Sequence, residues 1–345
     1  MDRNKRSRIY LIVLMIAIFV VYKYRENQPK EVLVQGTTMG SIAYNVKYLD
    51  AQKRNFKKQI DSLLIDFNQA LSTYIPDSEI STFNLNGKVN FKLPYFYEVL
   101  EASKKVNSET NGAFDPTVGP LIDAWGFGDG KFIGPDSVQV DSLMEFVGLD
   151  KITFDRNYAV KTISGVKLNF SAIAKGQAID VVADWLGNQG LKNYMVEIGG
   201  EVRAQGKNID GEFWTIGIEV PDEQRIGGLF DALHLENQGM ATSGNYRNFR
   251  ILEDGRKVAH TIDPITGYPK MQTLLSVTVL APNCMLADAY ATACMVLGKE
   301  KSIALIEADP SLECYLIYAD DNGQTQTYLS KGLAGKTIKT ELPNN

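Results

Sequence analysis

The stretch 276–298, SVTVLAPNCMLADAYATACMVLG, constrains the fold most, because it runs a strand into a helix across a short turn. Val277 and Val279 alternate with Ser276 and Thr278, the period of a half-buried strand. Pro282 and Asn283 break that period, and Met285, Leu286, Ala289, Ala293, Val296 and Leu297 then recur at helical spacing. The helix carries Asp288 and Thr292 four residues apart, one above the other on a single face. A carboxylate beside a hydroxyl suits a hard cation such as magnesium. A solvated helix face or a hydrogen-bonded pair uses the same spacing, and this stretch alone does not separate the three.

The 345 residues, 44% of them hydrophobic, are enough for a substantial core. Residues 1–30 hold seven Lys or Arg against two Asp or Glu, a net of +5, so the rest of the chain carries −10 within a total of −5. An acidic body argues against nucleic acid as the main partner. The head divides into a basic cytoplasmic part, 1–8, an uninterrupted apolar run, 9–22, and a linker, 23–33. Basic residues ahead of an apolar run make an export signal that leaves the amino terminus in the cytoplasm. As a helix the run rises about 21 Å, short of a ~30 Å bilayer core, although flanking basic side chains snorkel. No small-x-small cleavage site follows and no cysteine stands nearby to take a lipid, so an uncleaved membrane anchor is expected. Cys284 and Cys294 would stand about 15 Å apart on one straight helix, too far to bridge, so at most one of them pairs with Cys314. Nothing approaches a paired-cysteine zinc spacing.

Along the body, residues 30–48 read as two strands about Gly36-Thr37-Thr38-Met39-Gly40, a hairpin turn or a place where backbone approaches a ligand. Ile60, Leu63, Leu64, Phe67 and Leu71 mark an amphipathic helix, Ser78 caps a short one, and 95–107 forms a third that Gly112 closes. The turn-rich yet apolar stretch 112–120 either lines a site or makes a buried turn. Residues 126–140 read as a surface excursion, and 151–160 with 166–170 as strands of a meander. Ser171 opens a helix bearing Lys175 near its start, either an anion site or a serine cap beside a solvated lysine. Strands are expected at 194–198, 201–204, 213–220, 228–236 and 239–243, with hairpins at 247–262, about Glu253-Asp254-Gly255, and at 314–329. Beyond Lys331 the chain reads as a frayed polar tail, 333–345. Two histidines occur. His234 alternates with leucines as a structural residue does, whereas His260 abuts a loop rich in Asp, Pro and Gly, the better setting for a general base. There is no internal repeat, no Walker loop and no dinucleotide-binding glycine pattern after a strand.

Gly36–Gly40 joins six further motifs: 72–79 (STYIPDSE), 112–120 (GAFDPTVGP), 172–176 (AIAKG), 241–244 (ATSG), 260–264 (HTIDP) and 288–292 (DAYAT). In this order they closely resemble the ApbE family of FAD:protein FMN transferases, from about residue 34 to 330. The resemblance implies an α+β fold, one compact unit with two lobes and a FAD cleft between them, spanning 34–332 after the membrane anchor. It also implies an activity, the splitting of FAD at its pyrophosphate and attachment of FMN to a Thr of a partner protein through a phosphoester, with AMP released. Asp288 and Thr292 match the family's magnesium ligands, with the backbone carbonyl of Ala172 as a third. Met39, Tyr74, Ala113, Phe114, Asp115, Asn169, Lys175 and Ile262 match positions that line the FAD site, and His260 matches the family's base. The implied address is the bacterial inner membrane with the catalytic body on the periplasmic side. The implied acceptor is a subunit of a sodium-pumping NADH:quinone reductase or an Rnf-type complex.

The chain departs from the family where Asn169 stands for a common Asp, where Glu197 stands for a usual Asn, and in lacking a lipid-bearing cysteine. Two other functions compete. A FAD pyrophosphatase that passes FMN to water would use the same metal and base. A periplasmic FAD-binding module without turnover would need neither Asp288, Thr292 nor His260.

Overall fold

In the computed structural model, residues 3–26, 28–128, 132, 134–219, 229–244, 249–251, 257–270 and 273–338 are described. After helix α1 (Arg3–Glu26) come strands β1 (Lys30–Thr38) and β2 (Ile42–Asp50), then helices α2 (Lys57–Leu71) and α3 (Glu79–Asn86). Strand β3 (Lys88–Asn90), helices α4 (Tyr95–Glu109), α5 (Gly119–Ala124) and α6 (Ser137–Met144), and strands β4 (Ile152–Phe154) and β5 (Tyr158–Lys161) follow. Helix α7 (Ala174–Asn188) leads to β6 (Tyr194–Ile198), β7 (Glu201–Gln205), β8 (Trp214–Glu219), β9 (Leu229–Leu235) and β10 (Gly239–Gly244). The chain then forms β11 (Phe249–Ile251), β12 (Lys257–Ala259), β13 (Leu274–Ala281), α8 (Cys284–Leu297), α9 (Lys299–Ala308), β14 (Glu313–Ala319), β15 (Thr325–Leu329) and β16 (Thr337–Ile338).

One eight-stranded sheet, in the order β1-β2-β6-β7-β10-β13-β14-β15, organises the body. Every neighbouring pair in it is antiparallel. Because side chains alternate across a strand, its two faces build two cores. Val277, Val279, Cys314 and Leu316 point to the face that α2, α4, α7 and α8 cover. Leu280, Tyr315, Ile317 and Met240 point to the other, where Trp214, Ile218, Leu233 and Leu235 of a second sheet, β16-β9-β8, cover them. β13 is therefore a central strand buried on both faces rather than the half-buried one its alternation suggests. Ser276 and Thr278 are each 1% exposed, and Thr278 is tolerated there because its hydroxyl meets that of Thr242 across the strands at 2.8 Å.

Other local expectations need correction. Residues 166–170 form no strand of a meander; β5 pairs instead with β4 and with the three-residue β3. Val166, Leu168 and Phe170 are buried as strand residues would be. However, the backbone of Leu168 bonds the Asn84 side-chain amide, and the Asn169 N–H donates to the Pro116 carbonyl, so the ladder partners are not a strand. Within the excursion at 126–140, α6 starts on a capping box between Asp136 and Gln139. Ser171 caps nothing: α7 begins three residues later, after Ile173. The tail expected from 333 is ordered to 338, because Leu333 is fully buried in the second core and Thr337 and Ile338 pair with β9. The turn at Glu253-Asp254-Gly255 and residues 339–345 lie outside the described residues. All three cysteines are free and buried. Along α1 the side chains from Tyr10 to Tyr22 are exposed, and no helix among the described residues is long and apolar enough to cross a membrane.

Candidate active site

The junction of α7 and α8 sets the geometry of the site. A Cβ on Gly176 would fall 2.3 Å from the Cys284 carbonyl oxygen, and one on Gly239 2.2 Å from the Cys284 nitrogen, so the start of α8 is wedged between two bare backbones. Asn283 caps α8 through Leu286 N–H. Asp180 on α7 adds a second clamp, accepting Cys284 N–H at 3.0 Å, Met285 N–H at 2.8 Å and the Arg203 guanidinium at 2.9 Å. Burial pushes the Asp180 carboxyl up to about 6 even so. This close approach lets Gly176 N–H reach the Asp288 carboxylate one helical turn along α8, at 3.1 Å.

A cavity of about 1410 Å³ opens over this junction, larger than the ~300–1,000 Å³ of ordinary small-ligand sites. Ala172, Lys175, Asp288 and Thr292 all line it, together with Glu201 and Ser243. Thr292 Oγ1 lies 3.3 Å from Ser243 Oγ. Lys175 forms an ion pair with Glu201, whose side chain is only 5% exposed, and the second Glu201 oxygen is buried without a hydrogen-bond partner. Burial disfavours charge on Glu201 and Asp288 and raises both carboxyls, with Lys175 opposing in each case. Burial also disfavours the Lys175 ammonium, but the Glu201 and Asp288 carboxylates outweigh it and raise the lysine. Among the described residues no three His, Cys, Asp or Glu side chains cluster as a metal site. The polar atoms at this end are oxygens of one carboxylate and of hydroxyls, with the Lys175–Glu201 pair beside them.

The remaining residues expected from sequence line the other parts of the same cavity: Met39, Tyr74, Ala113, Phe114, Asp115, Asn169, His260 and Ile262. Met39 sits in the hairpin between β1 and β2 with φ 49, a left-handed backbone uncommon for such a side chain. Tyr74 is 78% exposed at the rim. Asp115 is buried and raised by that burial, while Thr117 opposes it through its N–H at 2.8 Å and its hydroxyl at 2.6 Å. The Asn169 side-chain oxygen accepts Ser171 N–H at 2.9 Å, which fixes the turn presenting Ala172. His260 stands just beyond β12 rather than on it, its ring centroid 6.4 Å from that of Phe127. Glu197, in contrast, is structural: it accepts Gly200 N–H at 2.7 Å and the Asn45 side chain at 2.5 Å, at the β6–β7 turn.

The sequence profile of the ApbE family matches residues 36–316. This chain belongs to the ApbE family. It is 41% identical to a FAD:protein FMN transferase of Haemophilus influenzae, an alignment covering 90% of this chain and 93% of the relative. A second FAD:protein FMN transferase, from Vibrio cholerae, is 39% identical over 86% of this chain and 90% of its own length. Among solved structures, the flavin transferase ApbE of Vibrio cholerae superposes with a TM-score of 0.77 at 36% identity, covering 89% of this chain and 99% of the other. The apo flavinyl transferase ApbE of Pseudomonas stutzeri gives 0.78 at 31% identity, with coverages of 90% and 97%. The mixed α and β architecture is thus that of the ApbE family. Within it, sequence reasoning gave no role to Glu201, Ser243 or Asp180. Glu201 carried one signal: a charged residue opening a strand directly after Gly199-Gly200, at a position facing the core.

Proposed function

We propose that this chain is a magnesium-dependent FAD:protein FMN transferase, which attaches FMN by a phosphoester to a Thr of an acceptor protein and releases AMP. The observation that carries this reading is convergence: residues scattered from Met39 to Thr292 in the sequence line one cavity, with apolar and aromatic side chains beside a charged, oxygen-rich end. We read that cavity as a FAD cleft between two lobes, the flavin and adenine packing on Met39, Tyr74 and Phe114. Lys175, held at the first turn of α7, meets the phosphates.

The donor set fits magnesium. Asp288, the Thr292 hydroxyl and the Ala172 carbonyl are hard oxygen ligands, and the buried Asp288 and Glu201 carboxylates outnumber the Lys175 ammonium beside them. Magnesium, when bound, neutralises charge on the bridging and leaving oxygens of the pyrophosphate. The acceptor threonine oxygen bonds the phosphorus of the FMN half while that phosphorus parts from the bridging oxygen, which leaves with AMP. His260 takes the hydroxyl proton on an imidazole nitrogen, and Lys175 offsets charge on the phosphate oxygens.

We place the 34–332 body on the periplasmic side of a bacterial inner membrane, held through α1 and the linker 23–33. The exposed apolar side chains from Tyr10 to Tyr22 support this. The acceptor we propose is a subunit of a sodium-pumping NADH:quinone reductase or an Rnf-type complex. Incubating the protein with FAD, magnesium and an acceptor polypeptide carrying a candidate Thr, followed by mass spectrometry, tests the activity. The expected result is acceptor heavier by one FMN phosphoester, released AMP, and loss of both with Asp288→Ala. Free FMN and AMP with unmodified acceptor would make the protein a pyrophosphatase, and bound but uncleaved FAD would make it a carrier.

A further inference from the structure

Three charged side chains share the oxygen-rich end of the cavity, and their pairing is unequal. Lys175 pairs with Glu201 and forms no ion pair with Asp288. Asp288 lines the cavity at 4% exposure, and among the described residues its carboxylate accepts one hydrogen bond, from Gly176 N–H on Oδ2, which leaves Oδ1 without one there. A buried ammonium seeks a carboxylate, and both carboxylates raise Lys175 by their charge. The lysine therefore has two possible docking points and is held at one.

The fold explains which. Gly199 and Gly200 turn with φ 61 and φ 100, the two-residue turn that takes positive φ at both positions. That turn puts Glu201 opposite Ile198 at the first position of β7, with its side chain inward. A Cβ on Gly199 would lie 3.8 Å from Lys175 Cδ and 3.9 Å from Glu201 Oε2. The turn thus floors the ion pair closely.

We infer that Glu201 is a positioning residue, which holds the Lys175 ammonium away from Asp288 so that the Asp288 carboxylate stays free for a divalent cation. This role rests on the magnesium-dependent transferase reading. Replacing Glu201 by glutamine removes the anchor but keeps the shape, and the lysine then turns to Asp288 and competes with the metal.

The test is a double-mutant cycle read by Mn²⁺ binding, titrated by electron paramagnetic resonance on the whole protein with saturating FAD. Glu201→Gln is expected to weaken Mn²⁺ binding about 10- to 100-fold, the usual loss when an outer partner of a metal site is removed. Adding Lys175→Met should then restore affinity, by a factor at least about tenfold larger than the same substitution gives in the wild-type background. Equal factors in the two backgrounds would mean simple additive charge and would overturn the positioning role. So would a Glu201→Gln protein that binds Mn²⁺ as the wild type does. Wild-type protein that binds FAD but no Mn²⁺ would refute the metal reading itself, and the role of Glu201 with it. Circular dichroism of each variant checks that a loss is not unfolding, and Glu201→Asp, which keeps the charge, should recover part of the affinity.

Discussion

Gly176→Ala should damage the site although it replaces none of the proposed ligands. A Cβ there would sit 2.3 Å from the Cys284 carbonyl oxygen and 2.7 Å from Met285 Cα. Non-bonded carbon contacts settle near 3.5 Å, so α7 and α8 must part by about 1 Å. The bond from Gly176 N–H to Asp288, now 3.1 Å, then stretches out of hydrogen-bond range. Overpacking costs about 1–3 kcal/mol, against about 1 kcal/mol that alanine contributes as a helix former. The net loss, up to about 2 kcal/mol, lowers Tm by roughly 4 °C in a domain this large. Activity should suffer far more, since a shift of about 1 Å in a group that orients reacting atoms costs about 100-fold. AMP release with FAD, magnesium and acceptor measures the first effect, and thermal unfolding by circular dichroism the second. A variant within about threefold of wild-type activity that melts higher would show helix propensity outweighing packing, and would refute the claim that backbone contact places Asp288.

Three further outcomes are expected. With its folded pKa raised to about 6 from 3.8, Asp180 binds more protons in the folded than in the unfolded state between those values, so its contribution to stability falls as pH rises through that window. The difference between wild type and Asp180→Asn in urea denaturation should therefore shift against the wild type by about 2 kcal/mol from pH 4 to pH 6; a constant difference would contradict the burial argument. His260→Ala should lower FMN transfer by about 10²–10⁴-fold with FAD affinity retained, and loss of FAD binding instead would assign the ring to binding. Tyr74→Ala, at a side chain 78% exposed, should weaken FAD binding with Tm unchanged within about 1 °C, and an unchanged dissociation constant would remove Tyr74 from the site.

Helices α2 and α3 are legible in the sequence because each rests on a local signal. Ser78 caps α3 through Ser81 N–H, and the apolar spacing at Ile60, Leu64, Phe67 and Leu71 gives α2. The motif residues were found as a set, although their convergence on one cavity is a property of the fold and no periodicity states it. What failed had non-local causes. Thr278 looked solvent-facing because its alternation with valine is that of a one-sided strand, and its partner Thr242 stands 36 residues away. The segment 166–170 has a strand's pattern of inward side chains, but its hydrogen bonds go to Asn84 and Pro116. Helix α6 does carry a readable signature, Asp136 and Gln139 three apart, set behind the glycines that precede it.

Asp180 and Gly176 stand four residues apart on α7, hence on one face, and both grip α8 through backbone N–H groups: Asp180 by accepting those of Cys284 and Met285, Gly176 by donating its own to Asp288. The first pair of bonds fixes where α8 begins and the third fixes a proposed ligand one turn later, so the helix has little freedom to slide or rotate between them. A site specified this way does not depend on a network of neighbouring side chains to aim Asp288. It depends on two helices staying close enough for main-chain contact, which only glycine at 176 permits. The residues least tolerant of change should therefore include Gly176 and Asp180, neither of which touches the reacting atoms. Rim residues proposed to meet the substrate, such as Tyr74, should be replaceable at a cost to affinity alone.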